Sequence, residues 1–318
     1  KRIMRILSIS RDRAVVVPDS AVARRQVSYY RGSETDIVIL ATGKSAEVEL
    51  APGIRAHLAG GRGNVAAFVN ALRLAWRISR EERPDVVTVQ DPFWAGIVGW
   101  IVAKIVRSML YLQDHSAAFS RPTNGIAKFL ARRANRVRTV SERGRTGLLA
   151  IGVAADRIDV IPIATDLSRF RDVPPPDAIH HNVLCVARLE PEKGVEVLLH
   201  AWPRVCAQFD DARLRIVGDG GERHRLELLA RDLNIVEVVE FTGQHADVRP
   251  DLAWANVVAQ PSHFEGWGLS VIEATAAGRP VVMTDVGCAG EIITNEKSGI
   301  VVPVGDVEKL GEGIIHLL

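Results

Sequence analysis

Glu265 and Glu273 stand eight residues apart in the stretch Q-P-S-H-F-E-G-W-G-L-S-V-I-E-A-T-A-A-G-R-P, residues 260–280. The first lies in a loop behind an apolar run, and the second lies early on the small-residue helix that follows. Between them Gly266, Trp267, Gly268 and Leu269 can turn backbone N–H groups toward a ligand, because glycines allow close approach and a helix N-terminus favours negative charge. Earlier in the chain, Arg188 and Lys193 occur in V-A-R-L-E-P-E-K-G, residues 186–194. Two cations behind a strand suit a diphosphate, arginine as a planar fork and lysine as a mobile point charge. They would also stabilise a phosphate leaving group. A carboxylate accepts hydrogen bonds from two hydroxyls. These types together suit an anionic ligand that also carries hydroxyls, and a sugar nucleotide has both. Each residue alone has a plainer reading: an acid early on a helix complements the helix dipole, and loop cations are surface charge.

These side chains must be held by strand ends. In the second half, short apolar runs at Val183–Val186, Arg213–Val217, Val238–Thr242, Ala255–Ala259, Val281–Thr284 and Gly299–Val302 alternate with helical stretches, one of them starting at Asp306. Tight alternation predicts a parallel sheet covered by helices. The first half reads similarly: strands at Ile3–Ile9, Asp36–Leu40, Val86–Val89, Met109–Leu112 and Ile158–Ile163, with helices at Val22–Tyr30, after Gly60-Gly61-Arg62-Gly63-Asn64 to about Arg80, at Phe93–Arg107, and from Val140-Ser141 to Ala150. His115 follows the strand Met109–Leu112, at the edge of a parallel sheet where ligands bind. It fits a ligand contact or a loop histidine bonded to backbone. Gly218-Asp219-Gly220-Gly221 also separates a strand from a helix, but its spacing is not G-x-G-x-x-G, so Gly218 reads as a tight turn near the ligand. The glycines from 60 to 63 fit a plain loop or a ligand contact.

Length predicts two domains, since 318 residues exceed one ordinary core. At 47% hydrophobic and 25% charged the composition is that of a globular protein. The net charge of +2 conceals a split. Residues 1–170 carry 27 Lys and Arg against 15 Asp and Glu, a net +12; residues 171–318 carry 13 against 23, a net −10. The basic half suits a phosphate-bearing acceptor or an anionic membrane surface. Lys128–Thr139, K-F-L-A-R-R-A-N-R-V-R-T, reads as a cationic amphipathic stretch that either meets such a surface or is a solvated basic face. Nucleic acid lacks support, because no aromatic-rich basic motif occurs. Cys185, Cys206 and Cys288 are unclustered and lie in apolar sequence, as reduced thiols of a cytoplasmic protein would. The opening K-R-I-M-R-I-L-S-I-S has too short an apolar run for a signal peptide, and Lys104 ends the most apolar stretch well short of a membrane span. No Walker A sequence, H-E-x-x-H, Cys/His cluster or G-x-S-x-G elbow is present, so metal sites and serine hydrolysis are not expected.

Taken together, the blocks around Glu265 and Glu273, Val186–Gly194, Pro280–Gly287 and Gly299–Asp306 resemble the family-4 retaining glycosyltransferases of the GT-B fold (glycosyl transferases group 1). The likeness is strong over residues 140–318 and loose before them. It implies an α/β protein of two Rossmann-like parallel-sheet domains facing across a cleft: an acceptor-binding domain over 1–171, a linker over 172–181 carrying Pro174-Pro175-Pro176, and a donor-binding domain over 182–318. The expected activity is metal-independent, retaining transfer of a hexose from a nucleotide diphosphate sugar to a glycan, lipid-linked or small-molecule acceptor, with no cofactor. The expected location is the cytoplasm, peripheral to the membrane.

By position, the resemblance assigns Glu265 and His115 to the transferred sugar, Glu273 to the ribose, and Arg188 and Lys193 to the diphosphate. Gly266, Trp267, Gly268, Leu269 and Gly218 line the donor. Two departures stand out: Ser10-Arg11-Asp12-Arg13 replaces the glycine-rich first loop of many relatives, and Ala164 replaces a glycine in the inter-domain turn. The chain also opens without Met and stops in a helical stretch, as a fragment lacking the relatives' returning last helix would. A nucleotide-sugar epimerase and a catalytically silent nucleotide-sugar-binding subunit are the alternatives.

Overall fold

The computed structural model describes residues 2–90, 92–115, 125–163 and 165–318, leaving aside the Ala21 side chain. Ala164, named above in the inter-domain turn, lies outside the described residues. The chain divides into two compact units, residues 1–161 and 162–318.

The first unit runs β1 (Arg5–Ser10), α1 (Ala21–Tyr29), β2 (Glu34–Ile39), β3 (Ala46–Ala51), β4 (Ile54–Leu58), α2 (Asn64–Glu82), β5 (Val86–Val89), α3 (Trp94–Val106), β6 (Met109–Asp114), α4 (Gly125–Arg133), β7 (Arg136–Thr139), α5 (Glu142–Ala150) and β8 (Ile158–Val160). Its eight strands lie in the order β3-β4-β2-β1-β5-β6-β7-β8. All pairs are parallel except β3 with β4, an antiparallel edge pair turned through Pro52-Gly53. Sequence reading missed both strands of this pair. The stretch Lys128–Thr139 is not one amphipathic element. Ala134 is buried and Asn135 accepts from the Leu110 N–H at 2.8 Å, so the chain leaves the helix and enters the sheet as β7.

The second unit begins with the short helix α6 (Ser168–Arg171). It continues through β9 (Asn182–Val186), α7 (Val195–Gln208), β10 (Arg213–Val217), α8 (Arg223–Asp232), β11 (Val239–Gly243), α9 (Arg249–Trp254), β12 (Val257–Gln260), α10 (Leu269–Ala276), β13 (Val281–Thr284), β14 (Ile300–Val302) and α11 (Val307–Leu317). Its sheet is wholly parallel, in the order β11-β10-β9-β12-β13-β14. The winding direction reverses between β9 and β12, so the loops leaving these neighbours diverge and open a crevice, where open α/β sheets bind ligands. α7 covers the sheet with Leu198, Trp202 and Val205, all fully buried at helical spacing. Each such side chain contributes about 1.5–3 kcal/mol of burial.

The expected boundary at 171 and the 172–181 linker need correcting. Phe170 is fully buried, α6 packs on α10, the Asn256 side chain donates to the Asp177 carbonyl at 2.7 Å, and the Arg279 guanidinium donates to the Pro174 carbonyl. These contacts fasten the proline-rich segment to the second unit, and the division falls at Ile161–Pro162.

Candidate functional site

The β9 and β12 loops bring together two residues 72 positions apart: Lys193 Nζ lies 2.7 Å from Glu265 Oε1. The side chains are only 15% and 11% exposed. Two further donors converge on the same oxygen, Gln260 Nε2 at 2.7 Å and Ser262 Oγ at 3.1 Å. The Glu265 carboxylate only accepts, so the amide nitrogen of Gln260 faces it, and Ser270 Oγ donates to Gln260 Oε1 at 2.7 Å. Oε1 is thus saturated, while Oε2 has no partner among the described residues.

The loops are stitched at the backbone. The N–H groups of His263 and Phe264 donate to the Glu192 carbonyl at 2.9 and 3.2 Å. Gly194 adopts φ +59°, and a Cβ there would stand 2.3 Å from the Pro261 carbonyl oxygen. Both facts demand glycine. Gly218, at φ +144°, is held as tightly: a Cβ would come 1.8 Å from the Ala187 carbonyl oxygen. It braces the Arg188 loop from behind.

Gly266, Trp267 and Gly268 are buried, and Gly268 opens α10 with no side-chain cap. The N–H groups of residues 266–269 donate to no acceptor among the described residues, whereas the Trp267 carbonyl is taken by the Cys288 N–H at 2.9 Å. The turn is therefore fixed through its carbonyl and leaves a run of donors at a helix N-terminus for an anion or hydroxyl oxygens. One turn along α10, Glu273 is partly buried without a hydrogen-bond or ion-pair partner among the described residues. Burial pushes its carboxyl above the usual range, only partly offset by the charge of Arg169. Arg188 behaves differently. Its side chain is 69% exposed and pairs with Glu192 at 3.1 Å, so the structure does not join it to Lys193.

His115 belongs to the first unit, directly behind β6. Burial first, then the charges of Arg138 and Arg25, lower its pKa to about 4, so the ring is neutral at pH 7. Its Nε2 lies 3.3 Å from Gln113 Oε1, which also receives Arg138 Nη1 at 3.2 Å. Arginine only donates, so that atom is the amide oxygen; Nε2 must carry the proton and Nδ1 is left as an acceptor.

Gln260, Ser262 and Ser270 escaped sequence reading. Small polar residues behind a strand carry no signal until the fold places them around a carboxylate.

The family model for glycosyl transferases group 1 matches residues 180–318, and the model for glycosyltransferase family 4 matches residues 20–169. The chain belongs to the group 1 glycosyltransferases. This group 1 glycosyltransferase is 33% identical to the GDP-mannose-dependent alpha-(1-6)-phosphatidylinositol monomannoside mannosyltransferase of Mycobacterium tuberculosis over 187 residues, covering 53% of this chain and 48% of that one. It is 28% identical to the glycogen synthase of the same organism over 267 residues, covering 75% and 61%. The chain spans about half the length of the mannosyltransferases it matches, 48% and 46% for two of them. Among solved structures, sucrose-phosphate synthase from Thermosynechococcus elongatus superimposes with a TM-score of 0.80 at 22% identity, covering 99% of this chain and 89% of that one. Anabaena HepE in complex with UDP-glucose superimposes with a TM-score of 0.77 at 21% identity, covering 98% and 88%. The group 1 glycosyltransferase thus has the GT-B fold.

Proposed function

We propose that this protein transfers a hexosyl group from a nucleotide diphosphate sugar to a sugar or lipid-linked acceptor, retaining the anomeric configuration and using no metal ion or cofactor. The second unit holds the donor and the first holds the acceptor. The observation that carries this reading is Glu265: nearly buried, with one oxygen saturated by Lys193, Gln260 and Ser262 and the other unclaimed among the described residues, beside four backbone N–H groups that the described residues also leave unpartnered. The N–H run and Lys193 receive the diphosphate, and Arg188 reaches it from its exposed loop. Glu273 takes the ribose hydroxyls. Their hydrogen bonds compensate its partly buried charge, which explains a carboxylate kept there with no hydrogen-bond partner among the described residues.

Glu265 is the negative charge fixed nearest the sugar. Its free oxygen orients sugar hydroxyls and stabilises positive charge developing at the anomeric carbon. The departing phosphate takes the acceptor proton, and attack on the face it vacates retains configuration. A double displacement would need a nucleophilic carboxylate against the opposite face, and Glu265 is committed to Lys193 instead. His115, neutral with Nδ1 free to accept, contributes a hydrogen bond to the sugar rather than a proton. The names of the mannosyltransferase relatives favour a phosphatidylinositol-linked acceptor, and the basic first unit suits an anionic membrane surface where such an acceptor resides. No described helix is long and apolar enough to cross a membrane.

The test is turnover of a panel of nucleotide sugars with and without acceptor, in chelator, with product stereochemistry read by NMR. Transfer with retention supports the reading. Isomerised donor, inverted product or activity that returns only with manganese overturns it.

A further inference from the structure

Helix α3 is apolar on two sides. Ala95, Val98, Val102 and Ala103 face the sheet and are buried. A second apolar stripe, Trp94, Ile97, Ile101 and Ile105, flanks the buried one; Ile97 and Ile101 are half-buried, while Trp94 and Ile105 at its two ends are 54% and 58% exposed. A helix hydrophobic all round normally has cover on both sides. On α4, Ile126 and Phe129 are each 40% exposed. Ring contacts join the helices: Phe68 of α2 meets Trp94 at 6.0 Å, and Trp100 meets Phe129 at 5.4 Å, both edge-on. Cations cap the rings, Lys104 Nζ 5.4 Å from the Trp100 centroid and the Arg133 guanidinium 4.4 Å from that of Phe129. Neither α3 nor α4 contains an acid, and residues 86–140 hold eight Lys and Arg (104, 107, 121, 128, 132, 133, 136, 138) against two Asp (91, 114).

We infer that the outer face of α3 and α4 seats the protein on an anionic lipid surface, with Trp94, Ile105, Ile126 and Phe129 entering the headgroup boundary and Lys104, Arg107 and Arg133 meeting lipid phosphates. Tryptophan and phenylalanine flanked by cations match that boundary. A second copy of the chain fits worse: a two-fold pairing of this face would set its cations against themselves. Pairing with the acidic half of another copy is head-to-tail and does not close at two. This deepens the membrane reading proposed above and relocates it: the contact is the paired helices, not the continuous Lys128–Thr139 stretch.

Sedimentation of the whole protein with phosphatidylcholine vesicles, with and without phosphatidylglycerol, tests this in the absence of donor. Anionic vesicles should retain the protein at low salt and release much of it at high salt. The variant I105D/F129S, and separately K104E/R133E, should bind on the order of tenfold more weakly. Melting temperature and nucleotide binding should match wild type in both variants. Brominated lipid should quench wild-type tryptophan fluorescence more than that of W94F. Wild type that ignores anionic vesicles sinks the membrane reading as a whole and leaves sugar transfer untouched. Wild type that binds while both variants bind equally well sinks this face alone. A concentration-dependent dimer that I105D/F129S dissolves, without vesicle binding, assigns the face to a second copy and overturns the proposal.

Discussion

The carboxyl edges of the two sheets treat polar side chains in opposite ways. In the second unit, charge is kept and compensated: Lys193 and Glu265 are both nearly buried, and three donors share one carboxylate oxygen. In the first unit, the titratable ring is kept uncharged: His115 is partly buried near the charges of Arg138 and Arg25, and its ring is held neutral. A site that must steady a departing diphosphate needs fixed charge that does not reorganise during reaction. A site that only orients hydroxyls is served by a neutral acceptor. Under the proposed function, the diphosphate falls to the charged edge of the second unit.

The largest effect should come from breaking the pair. Lys193→Ala leaves a buried carboxylate without its counter-ion and removes the proposed phosphate partner. Transfer should lose about 2–4 kcal/mol of transition-state stabilisation. Kinetics of Lys193→Ala, Glu265→Gln and the double variant sharpen this, because a coupled pair gives strongly non-additive losses; additive losses would detach the two side chains from one another.

Next is Glu265→Gln, which keeps shape and removes charge. Turnover should fall on the order of 100-fold, with donor affinity changed far less. Full turnover in that variant would falsify the role given to Glu265.

Glu273→Gln should divide stability from function. Because burial raises the Glu273 carboxyl and the charge of Arg169 offsets this only in part, the amide should stabilise the free protein at pH 7 by about 1 kcal/mol, a rise of roughly 2–4 °C in melting temperature. Nucleotide binding should weaken at the same time. A calorimetric melt and a donor titration on one preparation decide it, and a lower melting temperature would contradict the burial argument.

The smallest effect is the acid limb of His115. Its folded pKa of about 4 lies below the ordinary 6.5, so the unfolded chain binds the proton more readily. The neutral ring's contribution to stability is complete above pH 6.5 and is lost as pH falls from there toward 4. Melting temperatures of wild type and His115→Gln should converge across that window, and curves that stay parallel would refute the assignment.

Legibility from sequence followed the distance between chemistry and backbone punctuation. Glu265, Glu273, Arg188 and Lys193 could be placed because glycines and prolines mark the strand–loop–helix junctions that carry them. β3 and β4 were missed, although A-E-V-E-L-A and I-R-A-H-L include polar–apolar alternation and Pro52-Gly53 between them is a turn signal. The regular strand–helix rhythm around them masked an antiparallel edge pair. The Lys193–Glu265 contact joins positions 72 apart, and only the adjacency of β9 and β12 creates it. Arg188 shows the converse: its motif position was plain, but its partner Glu192 was not.

The proline-rich segment laced to the second unit changes where this polypeptide can be divided. A fragment opened at 172, as the sequence alone suggests, would discard Phe170 and bare the side of α10 that α6 covers. Both fragments contain the carbonyl anchors that Pro174 and Asp177 offer to Arg279 and Asn256, but only one opened at Pro162 keeps Phe170 and α6 in place. For anyone preparing the acidic half by itself for crystallisation or titration, α6 with its buried Phe170 is part of the folded unit rather than spare tether.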